Sequence, residues 1–568
     1  MATFPQAQDT ERPSAIYAQI AATTRVLQAP VIEVPLVGGF TNGGGVLTKI
    51  THRVESPILS LQGREREESS GGYQIWFEEF HVLPRAFDLG NVLSSQSIPL
   101  QVFYAGRRDT ATWDSFVNNA GAGVTLSGQP SLPTTFDPMT EISMQLEIDT
   151  AGDPFVDTTL DFVFSTGTTL VPIALQRIVL WSLKPELPYA EVLGFLTDVI
   201  TAKSGKEKRQ ALRKNPRSVF EYDYMIDDVD RPLFESRMFD FHARQFGVPV
   251  WYDDCQVDTA VLAGDLVITV NDTAFRDFRV GGLALILADD GTFDVLNLTA
   301  ITATTLVSDA PTLNGFAVGV DVYPLSTSRV EEKLGGGRFP TALSTLRLNF
   351  APSDNDSNLA SIAHFPTTYK GKPVIESGQV LRGQLRESFE TLLVEIDSVV
   401  GLREVTSPWD GQKHARQLTL RAHGRQAGWE LRQFAHWARG RQVTFYVPRD
   451  FPDMIVTADL LSASQAMEIE NIGYTQFVRQ RPPHNSLYLV ETDGTVHMRD
   501  ITNSVVSGDP TKEGLTVDTV WPSTILAVDV ERTSFMEKMR FDTDKLKLQF
   551  DVDAQTVRLT APIKTVFE

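Results

Sequence analysis

Six cations crowd one stretch of an acidic chain: Lys206, Lys208, Arg209, Arg213, Lys214 and Arg217. Such a cluster can stand in water as a solvated turn, or it can meet an acidic surface on a neighbouring copy or ring. Other residue sets that could carry chemistry are weaker. Glu78-Glu79 beside His81 could be drawn as an acid–base site, but adjacent strand residues face opposite sides and cannot act as a pair. Asp354-Asn355-Asp356-Ser357-Asn358 opens like a calcium loop, yet Leu359 and Phe365 stand where glycine and glutamate are needed. His242 and His436 lie among aromatics and read as core or interface histidines. Cys255 is the one cysteine, which excludes an internal disulfide and a cysteine-based metal cluster; it reads as a small buried side chain. No HExxH, GxSxG or GxxxxGK[ST] pattern occurs. Ser204-Gly205-Lys206 lacks the earlier glycine of a phosphate loop, and Gly335-Gly336-Gly337 lacks the strand–helix setting of a dinucleotide site. The expectation is a protein that is not an enzyme and uses no cofactor or metal.

The 568 residues allow roughly three to five domains. A formal charge of −21 argues against nonspecific nucleic-acid binding and suits solubility or attraction to a basic partner. No run of about 18 apolar residues occurs, so no membrane insertion is expected. The first residues lack a basic-then-apolar leader pattern, and the expected folding compartment is a cytoplasm.

The elements that would position these residues are mostly strands. Residues 1–80 read as an arm with a possible helix at 15–26, then short strands between glycine clusters. Residues 81–190 read as an all-β domain, with strands at 98–104, 142–148, 159–164 and 178–183 suggesting an immunoglobulin-like sandwich. The second half reads as one unit written twice, at 191–350 and 390–550, joined by a polar linker at 351–389 and followed by a last strand at 551–568. Phe234 to Arg244 matches Trp429 to Arg439 at Glu, Arg, Phe, Ala and Arg without a gap. The same spacing sets Val248 against Val443, Trp251 against Tyr446 and Phe246 against Arg441. Further pairs are Asp290-Gly291-Thr292 with Asp493-Gly494-Thr495, Val322-Tyr323-Pro324 with Val520-Trp521-Pro522, and Leu346 to Phe350 with Leu546 to Phe550. Each copy is expected to hold a strand pair (196–224 and 390–424), then a short aromatic helix (231–246 and 428–440). A compact insert (256–325 and 455–523) and a long closing strand complete it. Asp227 to Asp230 should cap the first helix. Asp289-Asp290-Gly291 signals a tight hairpin.

Several ordered segments resemble tail-tip, or baseplate, hub proteins of long-tailed bacteriophages. One is the turn Ser204-Gly205-x-Glu207-x-Arg209, followed by Pro216-Arg217 and the aromatic strand Phe220, Tyr222, Tyr224. Others are Phe87 to Gly106, with Tyr104 where the family commonly has asparagine, Leu170 to Pro188, and Phe365 to Leu402. The resemblance implies a virion structural protein at the tail tip, assembled in the bacterial cytoplasm. Each insert would be a small SH3-like barrel. The protein would be a ring joining the tail tube protein to the central fibre or receptor-binding parts, and would line the DNA-exit channel. Two similar units per chain suggest three chains per ring, with six chains as the alternative. A competing class is a carbohydrate-binding or glycan-degrading multidomain β-protein, which would need a carboxylate pair in a cleft.

Overall fold

The computed structural model describes residues 76–92, 96–149, 152–153, 155–227, 230–241, 245–331, 335–338, 343–353, 359–380, 386–397, 399–551 and 555–567. The expectations for the arm and short strands before residue 76, for the 354–358 run and for His242 lie outside these residues.

The described chain is mainly β. Nine strands come first: β1 (Phe80–Leu83), β2 (Phe87–Val92), β3 (Gln96–Tyr104), β4 (Ala111–Asn118), β5 (Val124–Ser127), β6 (Thr134–Phe136), β7 (Thr140–Ile148), β8 (Phe155–Phe164) and β9 (Gly167–Arg177). They form two sheets, β1-β3-β7-β5 and β2-β9-β8-β4-β6. Alternation decides what goes inside: Leu100, Val102, Leu146, Trp113, Phe162 and Ile173 are buried in one core shared by both sheets. The expected strand at 178–183 is only β10 (Val179–Leu180), which runs parallel to a later strand and so leaves the two-sheet region. Ile178 and Leu180 pack with Leu285 and Leu325 instead.

The first repeat contains β11 (Glu186–Gly194), the hairpin β12 (Thr197–Thr201) and β13 (Glu207–Ala211), then β14 (Arg217–Ile226), α1 (Asp230–Phe241) and β15 (Gln245–Pro249). Asp227 caps α1 as expected, its carboxylate accepting the Asp230 amide at 2.9 Å. The helix ends sooner than expected, because Phe246 is buried in β15, paired with Ser328. The insert carries β16 (Cys255–Gln256), β17 (Val267–Thr269), β18 (Leu283–Leu287), β19 (Phe293–Ile301) and β20 (Thr305–Ser308). The repeat closes with β21 (Asp321–Val330), β22 (Gly335–Arg338) and β23 (Ser344–Pro352). In β14 the alternation is direct: Phe220, Tyr222, Tyr224 and Ile226 point into the core. Trp181 anchors that core, edge-on to Phe234 and Phe246, with its indole N–H donating to the Tyr224 hydroxyl at 3.0 Å.

After a small hairpin, β24 (Thr368–Tyr369) and β25 (Lys372–Pro373), the second repeat follows. It has β26 (Glu387–Glu390), the hairpin β27 (Val394–Ile396) and β28 (Glu404–Thr406), β29 (Lys413–His423), α2 (Arg425–Ala438) and β30 (Phe445–Pro448). The insert strands are β31 (Ala466–Glu470), β32 (Ser486–Glu491), β33 (Val496–Val506) and β34 (Lys512–Val517). Then come β35 (Val530–Phe541), β36 (Lys545–Phe550) and β37 (Thr556–Thr565).

The pairings repeat. β14 pairs β23 as β29 pairs β37, β15 pairs β21 as β30 pairs β35, and β22 pairs β23 as β36 pairs β37. β11 pairs β14 as β26 pairs β29. Register therefore gives a residue-level equivalence, and it corrects the sequence pairing. Val330 opposite Phe350 matches Phe541 opposite Ile563. That places Phe246-Gly247-Val248-Pro249 on Phe445-Tyr446-Val447-Pro448, so Val248 answers Val447 rather than Val443, Phe246 answers Phe445 rather than Arg441, and Tyr446 answers Gly247 rather than Trp251. Leu346 to Phe350 lies in β23, the counterpart of β37, whereas Leu546 to Phe550 lies in β36. Trp521 stands at the position of Thr312, since Ala463 donates to the Trp521 carbonyl as Gly264 does to that of Thr312, while Tyr323 lies in β21. The Asp290 and Asp493 turns do correspond: each closes the β18–β19 or β32–β33 hairpin, with its carboxylate accepting the amide two residues on.

Each insert has its own core, around Ile268, Leu298 and Phe316 in one and Ile469, Leu489 and Trp521 in the other. The two repeats do not. One core runs through both, from Trp181 and Phe350 to Leu418, Phe434 and Phe541. The reason is a continuous sheet in the order β22-β23-β14-β11-β36-β37-β29-β26, in which β11 of the first repeat pairs antiparallel with β36 of the second.

Candidate assembly interface

The basic stretch lies on the β12–β13 hairpin and its link into β14. Lys206, Lys208, Lys214 and Arg217 are exposed, and Arg209 and Arg213 are half-buried. The Arg213 guanidinium donates to the Gly194 carbonyl at 3.4 Å. The tip of this hairpin rests on the second repeat. Lys206 bridges Phe567, and the Glu207 amide donates to the Phe567 carbonyl at 3.2 Å. Gly205 has φ 84, and a Cβ there would sit 3.0–3.1 Å from the Phe567 and Trp409 rings, so a side chain would strain the backbone and crowd both rings.

Glu207, inside the motif but opposite in sign to the cluster, makes the central contact. Its carboxylate accepts from Lys413 Nζ at 2.6 Å and from Arg540 Nε at 2.9 Å. Lys413 and Arg540 side chains are only 3% and 5% exposed. Burial opposes the charged form of Glu207, but the hydrogen bonds from Arg540 and Lys413 outweigh it and hold the carboxyl below its ordinary range. Lys413 Nζ also sits 5.2 Å from the Trp409 ring and 5.6 Å from that of Phe567.

A second buried cluster crosses the same junction. Arg432 of α2 forks onto Glu191 of β11 at 2.7 and 2.9 Å and reaches Asp277 of the first insert at 3.3 Å and Asp253 at 3.6 Å. Arg425 holds Asp254 at 2.7 Å. Tyr252 stacks on Phe550, ring centroids 3.8 Å apart. Burial pushes the Asp253 carboxyl up to about 7, with Arg432 opposing and Asp277 reinforcing the rise. His436, buried one helical turn on from Arg432, is pushed down to about 4 by burial, and its Nε2 has no hydrogen-bond partner. It sits in the core, as its sequence surroundings suggest.

A third cluster ties the second insert to its own repeat. The Glu537 carboxylate takes His414 Nδ1 at 2.8 Å and Arg449 at 2.7 Å, and Arg449 also contacts His484 at 2.9 Å. Burial opposes the charged form of Glu537, yet the His414 and Arg449 contacts hold its carboxyl at about 2.

The other sequence candidates fall apart in space. Glu78 contacts Tyr104 and the Arg107 amide, whereas His81 stacks on Trp76. Burial raises the Cys255 thiol to about 12, which makes it a poor nucleophile. In a cleft between the two-sheet region and the first insert, Glu191 and Asp277 are held by Arg432, and Asp294 is held by the Leu313 and Asn314 amides. Among the described residues no cluster of three His, Cys, Asp or Glu could hold a metal, and no helix is long and apolar enough to cross a membrane. What the geometry can do is join sheets. The sequence marks Glu207 only as a motif position and does not single out Glu191, because a carboxylate buried by a partner 206 or 241 residues away leaves no local signal of its contact. No family model and no curated protein sequence matches the chain.

Proposed function

We propose that this chain is a structural component of the tail tip, or baseplate, of a long-tailed bacteriophage. It forms a hub ring of three chains that connects the tail tube to the central fibre or receptor-binding parts and lines the DNA-exit channel. On this reading the nine-stranded region is the immunoglobulin-like domain, and each insert is an SH3-like barrel.

The observation that carries the proposal is the tandem sheet. Its two four-stranded halves, β22-β23-β14-β11 and β36-β37-β29-β26, are equivalent by register, and they are joined by β11 on β36. Among the described residues β22 and β26 each pair on one side only, so the chain ends in two edges that match the internal junction. An open strand edge is a template for pairing with another chain. Repeating the internal junction between chains, β26 on a neighbour's β22, is a heterologous contact, which closes into a ring when the rotation permits. Glu387 holds in β26 the place of Glu191 in β11, and in the sequence Arg237 matches Arg432. The solvent face of the sheet is polar and cross-braced, Lys547 to Glu221 at 2.6 Å, Arg347 to Asp223 at 2.6 Å and Lys564 to Glu390 at 2.5 Å, as a wet channel wall requires.

Native mass measurement of the purified, assembled protein tests the stoichiometry. Three chains are expected; six per ring refutes the trimer. Antibody-labelled particles tested by electron microscopy should carry label at the tail tip, and label elsewhere refutes the virion role.

A further inference from the structure

Among the described residues the hairpin of the second repeat has no seat. β27–β28 is inserted between β26 and β29, as β12–β13 is between β11 and β14. The first hairpin lies on the second repeat and covers Lys413 and Arg540. The second projects into solvent: Val399, Val400 and Leu402 at its tip are 91%, 96% and 95% exposed. Leu393, Val394, Ile396 and Val405 add to the exposed apolar surface. Apolar exposure grouped at a hairpin tip marks a contact site.

Register identifies its seat. Lys413 opposite Glu390 corresponds to Arg217 opposite Gly194, and Arg540 opposite Lys564 corresponds to Arg329 opposite Ala351. So the two cations that the first hairpin buries have counterparts on the first repeat, and both are arginines. Arg217 and Arg329 are exposed, and among the described residues no carboxylate holds either one. In the link where the second repeat has Trp409, the first repeat exposes Leu212. The second hairpin is complementary in charge. It carries Glu395, Asp397 and Glu404 against a single Arg403, which pairs with Glu395 at 2.8 Å and Asp397 at 3.5 Å. The first hairpin, by contrast, is basic.

We propose that the β27–β28 hairpin docks on the first repeat of a second copy of this chain. Its Val399, Val400 and Leu402 tip packs on Leu212, and its carboxylates face Arg217 and Arg329. The contact rests on the head-to-tail association proposed above and assigns the exposed Arg217 of the basic stretch to an acidic partner surface. It replaces the internal Glu207 ion pair with an apolar tip and a charged rim, a pattern suited to a separable interface.

Two variants test it. One carries V399D, V400D and L402D; the other carries R217E and R329E. All five positions are exposed, so both should fold with an unchanged circular dichroism spectrum; V400S and R329Q serve as milder forms if either does not. In sedimentation velocity each variant alone should need at least about tenfold more protein to assemble than wild type, a loss of about 1.4 kcal/mol or more. Mixed, they should form a one-to-one complex, because the intact hairpin of one meets the intact face of the other. Wild-type-like assembly of either variant, or no complex on mixing, overturns the contact. A wild-type chain that stays monomeric overturns both the contact and the ring. Assembly that depends on these residues but does not contain three chains supports the contact and refutes the trimer.

Discussion

Replacing Glu207 by Gln keeps the size of the side chain and removes its charge. Lys413 then loses the one carboxylate within ion-pair distance among the described residues, and Arg540 keeps one carboxylate, Asp542 at 2.7 Å, beside the Phe541 carbonyl at 2.9 Å. Breaking a buried ion pair from one side costs about 3–5 kcal/mol, because the remaining charge is left uncompensated. The retained Asp542 contact puts the expected cost near the lower end, about 3 kcal/mol. The perturbation is local, so native-state hydrogen exchange is the assay. The Glu207 amide, bonded to the Phe567 carbonyl, should exchange more than about a hundredfold faster in E207Q, since 1.4 kcal/mol is a factor of ten. Adding K413M should recover at least half of the loss, because the Trp409 and Phe567 rings can pack an apolar chain where Nζ now sits. The sign with pH follows from the lowered Glu207 carboxyl. The clamp is fully present above the ordinary value of 4.5 and is lost as pH falls from there through the folded value. A change of less than about threefold in E207Q exchange would refute the clamp.

Arg432→Ala should destabilise the junction between the repeats by about 3–5 kcal/mol, because buried Glu191 loses its cation while Asp277 keeps Arg279 at 2.7 Å and Asp253 keeps Arg425 at 3.7 Å; a urea midpoint unchanged from wild type would contradict this. His484, pushed down to about 4 by burial first and by Arg449, is kept neutral in the fold. Its contribution is present above 6.5 and is lost as pH falls towards 4, up to about 3 kcal/mol. His436 titrates over the same window. H484Q should therefore weaken, without abolishing, the fall in urea midpoint between pH 7 and 5, and a wild-type midpoint flat over that range would sink the prediction.

Alternating apolar residues determined most of the strands, and glycine, proline and aspartate determined where they turn. Phe220, Tyr222 and Tyr224 show their buried face in the sequence because strand periodicity is local. The tandem repeat was legible for the same reason, from α1 and α2 and from the Asp290 and Asp493 turns, where spacing is kept. Its register was not. Loops of unequal length shift the frame between helix and strand, and only hydrogen-bond pairing puts Phe246 on Phe445. The basic stretch was visible as charge, yet its pivotal residue is the acid Glu207, whose meaning depends on Lys413 and Arg540 folding over it. The second hairpin read only as part of a strand pair at 390–424. Its exposure, and the equivalence of Arg217 and Arg329 to two buried cations, exist only once β11 has joined β36 and placed the two repeats in one sheet. That pairing links residues some 350 positions apart, a distance over which local sequence carries no physical constraint.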